Sequence, residues 1–353
     1  MITAAAPFKQ GNITGSRSLL IWRIVQFIVW LVGLTIFLLL IVDPSAGLLI
    51  LWNILIPVAP ALLVVSAGLW RNICPLATTV LLPRHFNWSK RKKMPLLLQS
   101  KLQLVAITGL YIIVPMRHAL FNTNGTATVI LLFVAALIGT VMGFNYDWKS
   151  GWCSSLCPVH PVEKLYGSNT ITPLPNAHCD QCANCSVPCP DTTPNFHPAL
   201  TKKNTYQILS GLLTVGGLPG FIWGWFQVAD HAGPSGLSQL LSAYGLPFFG
   251  FLGSMMLYII LQALISKKDE RTLINCFAAA GVSCYYWFRI PALLGFGHLH
   301  KDGLLINMQA VLPGWSLVLM TVSSTLFFFW WLVFRKQKTN SWLLRPEYAS
   351  RAH

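Results

Sequence analysis

Eight apolar runs, each long enough to cross a bilayer, follow one another along this chain, and no other feature restricts its fold as sharply. They cover residues 19–42, 48–70, 96–116, 126–144, 206–228, 239–265, 273–296 and 313–334. The hydrocarbon core of a bilayer is about 30 Å thick and takes roughly 20 residues of helix. Backbone in lipid must satisfy its own hydrogen bonds, so runs of this length predict helices. Only 10% of the 353 residues are charged and 54% are apolar, whereas soluble domains carry about a quarter charged residues. The sequence predicts an all-α polytopic membrane protein with about eight transmembrane helices and membrane lipid around it. The first run exceeds a signal-peptide core and no small-residue cleavage site follows it, which predicts a retained anchor.

The net charge of +15 invites a nucleic-acid reading, which the placement of the charges removes. Lys and Arg gather in segments 71–94, 145–204 and 266–272 and in the two tails, 1–18 and 335–353. The opposite loops hold essentially Arg117, Arg289 and Lys301. Cytoplasmic loops of membrane proteins carry this excess, so the basic balance sets orientation and attracts anionic lipid. The expected layout is a membrane half at 19–144, an insert at 145–204, a second membrane half at 205–334 and a basic tail, with both termini and the insert cytoplasmic.

The insert carries the chemistry. Cys179, Cys182, Cys185 and Cys189 stand in the spacing C-x2-C-x2-C-x3-C, and Pro190 follows. This is the bacterial ferredoxin run, in which short loops let three thiolates grip one [4Fe–4S] cubane while the Cys before the proline ligates a different cluster. Zinc motifs usually space two Cys pairs along a longer arm, so four Cys within eleven residues fit zinc poorly. Upstream stands Cys153-x3-Cys157-Pro158, the tail of such a run. By crossed ligation Cys157 completes the cluster of Cys179, Cys182 and Cys185, and Cys189 and Cys153 are left for a second. Cys74, followed by Pro75, is the remaining candidate on that side. Three thiolates are one short of four, so the second cluster would have three irons or a non-Cys ligand such as Asp180, His178 or water. Thiolates that hold iron must stay reduced, which agrees with a cytoplasmic face.

An internal repeat brings Cys74 into this account. The first two runs lead into Trp70-Arg71-Asn72-Ile73-Cys74-Pro75, and the next two into Trp152-Cys153-Ser154-Ser155-Leu156-Cys157-Pro158. Two equivalent hairpins would bring the Cys-Pro elements together about a pseudo-twofold axis, as parallel repeats do. The position equivalent to Cys153 is Trp70 in the first repeat.

Over about residues 50–192 the chain resembles membrane-bound ferredoxins of the NapH and NosR type, most specifically where Trp-Cys-x3-Cys-Pro precedes the ferredoxin run. The resemblance implies a redox partner moving electrons between quinol or a cytoplasmic donor and another redox protein, in a bacterial inner membrane. The chain departs from that pattern in lacking a Cys ahead of Cys74 and in having one ferredoxin run where relatives often have two. The last four spans lie outside the match.

On the opposite side stand His118, His231, His298 and His300. They are candidates for a haem b, metal or quinone site forming a second redox station; the plainer expectation is interfacial polar caps. His160 and His178 are expected to be solvated loop residues near the clusters. Asp230 and Asp302 are expected as solvated loop charges, and Cys276 and Cys284 as small buried hydrophobes. The aromatic runs 221–226 and 327–331 are expected to form lipid-interface belts. The favoured function is one-electron transfer in a larger redox system, with substrate chemistry done by partner subunits. An alternative is a maturation factor that reduces a metal for another enzyme. A transporter is disfavoured by spans with almost no buried charge.

Overall fold

A computed structural model describes residues 16–92, 94–146, 149–167, 170–171, 174–175, 177–178, 199, 204–230, 236–299, 303–335 and 343–344. Cys179, Cys182, Cys185, Cys189, His231 and His300, with Asp180 and Asp302, lie outside these residues.

The described chain is helical. Helix α1 spans Ser16–Val42. The next stretch runs through α2 (Pro44–Leu49), a π-helical segment (Ile50–Leu55), α3 (Ile56–Ile73) and α4 (Pro75–His85). Then come α5 (Leu96–Ile113), α6 (Gly125–Asn145), α7 (Val159–Tyr166), α8 (Thr205–Leu212) and α9 (Leu218–Trp225). The last are α10 (Leu237–Leu264), α11 (Glu270–Leu293) and α12 (Gly314–Phe329). Local chemistry sets several starts. Asp43, Asn124 and Asn204 cap α2, α6 and α8, each accepting a backbone N–H of the first turn. Both Cys-Pro elements are helix breaks, because a residue before proline is pushed out of the helical region. Cys74 (φ −54, ψ 117) ends α3, and Pro75 opens α4.

Among the described residues, seven helices or helix runs are long and apolar enough to cross a membrane. The eighth expected span, 273–296, corresponds to α11, which does not qualify on composition. Its polar content has a reason in packing. Asn275, Ser283 and Arg289 are all buried, and α11 packs against α9, α12, α3 and α7. A helix surrounded by protein need not be apolar.

Helix α3 departs most from a simple crossing. Pro60 has no N–H to donate and cannot close the helical ladder. The Tyr286 hydroxyl of α11 repairs that turn, accepting from Ala61 N at 2.9 Å and donating to Pro57 O at 2.6 Å. Ser66 (φ −151, ψ 69) breaks the helix again, and Val65 O takes the N–H of Ile171 at 3.0 Å. Non-helical backbone at membrane depth is tolerated where protein covers it. Beside this break, Leu174 packs on Ala67, and Leu174–Pro175 pairs in parallel with Leu343–Leu344.

The principal core joins the two membrane halves. It unites Leu63 and Val64 of α3, Leu165 and Tyr166 of α7, Phe221 of α9 and Tyr258 of α10 with Phe277 of α11 and Phe328 of α12. Residues 159–166 of the expected insert are thus packed against the bundle. Helices α9 and α10 meet at glycines, where a Cβ on Gly220 would lie 1.9 Å from Gly250 O. Small residues let membrane helices approach this closely. The aromatic runs divide between core and lipid and are not belts: Phe221, Trp225, Phe226, Phe328 and Trp331 are buried, while Trp223 and Trp330 are exposed.

Candidate functional site

Two groups of polar and thiol side chains lie at opposite ends of the bundle. The 18 residues of α3 separate them.

At the cysteine end, the two Cys-Pro elements meet as the repeat predicts. Ala77, Val80 and Leu81 of α4 form a buried cluster with Trp152 and Cys153, against which Cys74 and Cys157 pack. Burial pushes the Cys157 thiol up to about 12, and the neighbouring Cys74 adds to the rise. Such a thiol keeps its proton until a metal displaces it.

Beside the thiols sit a buried ion pair and a histidine. Arg71, one turn before Cys74, pairs with Glu163 of α7 at 2.9 Å, with both side chains at most 4% exposed. The same guanidinium nitrogen donates to Nδ1 of His160. Because that nitrogen accepts, the ring is neutral. Burial first, and Arg71 second, hold the His160 pKa down to about 4. His160 and His178 are both buried, which corrects their expected place as solvated loop residues. His160 faces protein because α7 packs into the core, and His178 follows Ala177, which is held by Asn72.

The chain leading into the ferredoxin run is anchored here too. Asn72 is fully buried. Its Oδ1 accepts the N–H of Ala177 at 3.1 Å, and its carbonyl accepts from Gln26 Nε2 at 3.0 Å. Ala177, two residues before Cys179, is thereby tied two residues from Cys74.

The donor set fits an iron–sulfur centre in its chemistry. Soft thiols from segments 80 residues apart converge in an apolar, water-poor cluster, with a guanidinium close by to offset anionic thiolates. Among the described residues, no group of three or more His, Cys, Asp or Glu side chains by itself forms a metal site. The remaining proposed ligands lie in 179–189, outside those residues.

At the opposite end is a cavity of about 440 Å³ between the ends of α2, α5, α9 and α11. His118 and His298 both line it. His298 lies tilted against Phe288, with ring centroids 5.5 Å apart. His118 is buried, with Nδ1 2.6 Å from Asp230 Oδ1 and Nε2 3.0 Å from Trp225 O. Both ring nitrogens are therefore engaged, and neither is left for a metal or haem iron in this arrangement. Asp230 also accepts from Asn122 at 2.7 Å and is not the solvated charge expected of it.

Sequence reasoning set Arg117 beside His118 as a quinone-binding candidate but did not bring Arg289, Trp52 or Trp225 into this cavity. Arg117 lies over the Trp52 ring at 4.0 Å and the Trp225 ring at 4.9 Å, and donates to Asn122 Oδ1 at 3.1 Å. Burial, with Arg289 near by, pulls the Arg117 pKa down to about 10. Arg289 is also buried and donates to Trp52 O at 2.6 Å and Asn53 Oδ1 at 2.8 Å. Gly303 makes room for it: its φ is +74, and a Cβ there would stand 2.1 Å from Arg289 Nη1. An arginine inside an apolar run was the available signal.

Comparison with protein-family models, curated proteins and solved structures returns no match.

Proposed function

We propose that this chain is a membrane-anchored one-electron carrier of an inner-membrane redox system. In this reading Cys179, Cys182, Cys185 and Cys157 hold one [4Fe–4S] cluster, and Cys189, Cys153 and Cys74 contribute to a second. Bound clusters would supply reversible one-electron chemistry without proton transfer. Partners would be another redox protein or the quinone pool, and the resemblance to membrane-bound ferredoxins supports that choice.

The observation that carries the proposal is the Ala177–Asn72 hydrogen bond. It ties Ala177, two residues before the ferredoxin run, to the helix end bearing Cys74, which packs with Cys153 and Cys157. Cys74, Cys153, Cys157 and the residue two positions before Cys179 thus share one end of the molecule. The chain's own residues have definite tasks there. Trp152 and the apolar face of α4 exclude water, and Arg71 supplies positive charge beside the thiols. Buried α11 is read as an eighth crossing shielded by its neighbours, which places both tails with the Cys motifs on the cytoplasmic side.

Iron and acid-labile sulfide per chain, measured on anaerobically purified protein with EPR before and after dithionite, test the proposal. About four irons with one reducible signal support a single cubane, and seven or eight support two clusters. Zinc without iron would overturn the redox reading.

A further inference from the structure

The cavity opposite the cysteine end has a charge balance that its own residues do not settle. His118 faces two acceptors, the Trp225 carbonyl at 3.0 Å and the Asp230 carboxylate at 2.6 Å. A carbonyl only accepts, so Nε2 carries a proton. The short contact at Nδ1 needs another proton, either on the ring or on the carboxyl. In both arrangements the His118–Asp230 pair is neutral as a whole. Arg117 and Arg289 then remain as two buried cations, with no net negative charge among the other described residues lining the cavity.

The neutral partners of these guanidiniums leave them under-compensated. Arg289 donates to a carbonyl and an amide oxygen, and its buried Nε has no hydrogen-bond partner. Arg117 donates to an amide oxygen and rests on two indole faces. Like charges placed together in a low-dielectric site are costly unless an opposite charge joins them. Guanidiniums also present planar forks of donors that match carboxylates and other oxyanions. The remaining wall, with Trp52, Trp225 and Phe288, is aromatic. The volume of about 440 Å³ is within the range of small-ligand sites.

We propose that this cavity binds a small organic anion, its carboxylate or other oxyanion between Arg117 and Arg289 and its apolar body against Trp52, Trp225 and Phe288. The anion can come from solution or from the headgroup of an acidic lipid. The site is independent of the cysteine end, and its test does not depend on iron.

The experiment is calorimetric titration of the full chain in phosphatidylcholine nanodiscs with benzoate and with its neutral isostere benzamide. Benzoate is expected to saturate at one site and to bind at least about tenfold more tightly than benzamide, a charge-assisted preference. R289Q is expected to remove that preference, bringing benzoate and benzamide to similar affinities. Repeating the titration in phosphatidylglycerol nanodiscs separates the sources. An affinity for benzoate lowered about tenfold there identifies the lipid headgroup as a competing occupant, and an unchanged affinity identifies a soluble anion. No saturable benzoate binding in phosphatidylcholine would overturn the proposal. So would equal binding of the two probes to the unmutated chain, the behaviour of a site for a neutral ligand such as a quinone head group. That comparison holds even if R289Q fails to fold.

Discussion

Asn72 and Ala177, 105 residues apart, are joined by a hydrogen bond of 3.1 Å between a side-chain oxygen and a backbone N–H, with both residues fully buried. Through this bond the end of a membrane helix holds the segment that leads into the four-Cys run.

Asn72→Leu is therefore expected to free the approach to Cys179. Leaving a buried N–H unsatisfied costs about 1–3 kcal/mol. Iron per chain after anaerobic purification should fall, while the helical circular dichroism of the bundle should be retained. Unchanged iron content would show that the anchor does not serve the cysteine run.

The buried Arg71–Glu163 pair makes a second prediction. Arg71→Gln leaves Glu163 charged and buried, at an expected cost of about 3–5 kcal/mol. The double variant R71Q/E163Q removes both charges and should be markedly less destabilised than R71Q alone. Thermal unfolding in detergent, compared across the two single variants and the double, gives the coupling. Additive losses would show that the charges do not depend on one another.

The α9–α10 crossing is set by backbone contact. Gly220→Val places a side chain where the Gly250 carbonyl stands at 1.9 Å from the added Cβ, so the helices must part. Overpacking of this kind costs about 1–3 kcal/mol. Gly253 has open space where its Cβ would be, and Gly253→Ala is expected to leave the melting temperature nearly unchanged. Equal melting of G220V and the parent chain would place the close approach elsewhere.

Helix α11 decides the topology. If it crosses the membrane as the eighth span, both termini face the same compartment as the Cys motifs. Reporter fusions at residues 1 and 353, read for cytoplasmic or external activity, should give the same answer at both ends. Opposite answers would leave seven crossings and remove α11 from the spans.

Much of this protein was determined by the sequence alone. Long apolar runs dictate helices because lipid offers the backbone no hydrogen-bond partner, and the starts at Asn124, Asn204 and Pro75 follow from capping and proline chemistry. The convergence of Cys74 with Cys153 and Cys157 was legible as well, because the two halves of the repeat carry the same Trp and Cys-Pro signals. What the sequence left undecided was which polar groups meet. Arg117 and Arg289 stand 172 positions apart, and His160 and His178 have the neighbours of ordinary loop residues. Only the tertiary packing draws these side chains out of water. Burial and pairing are long-range properties of the fold: periodicity and spacing carry each residue to its helix, and the tertiary structure decides which charges must share a low-dielectric interior.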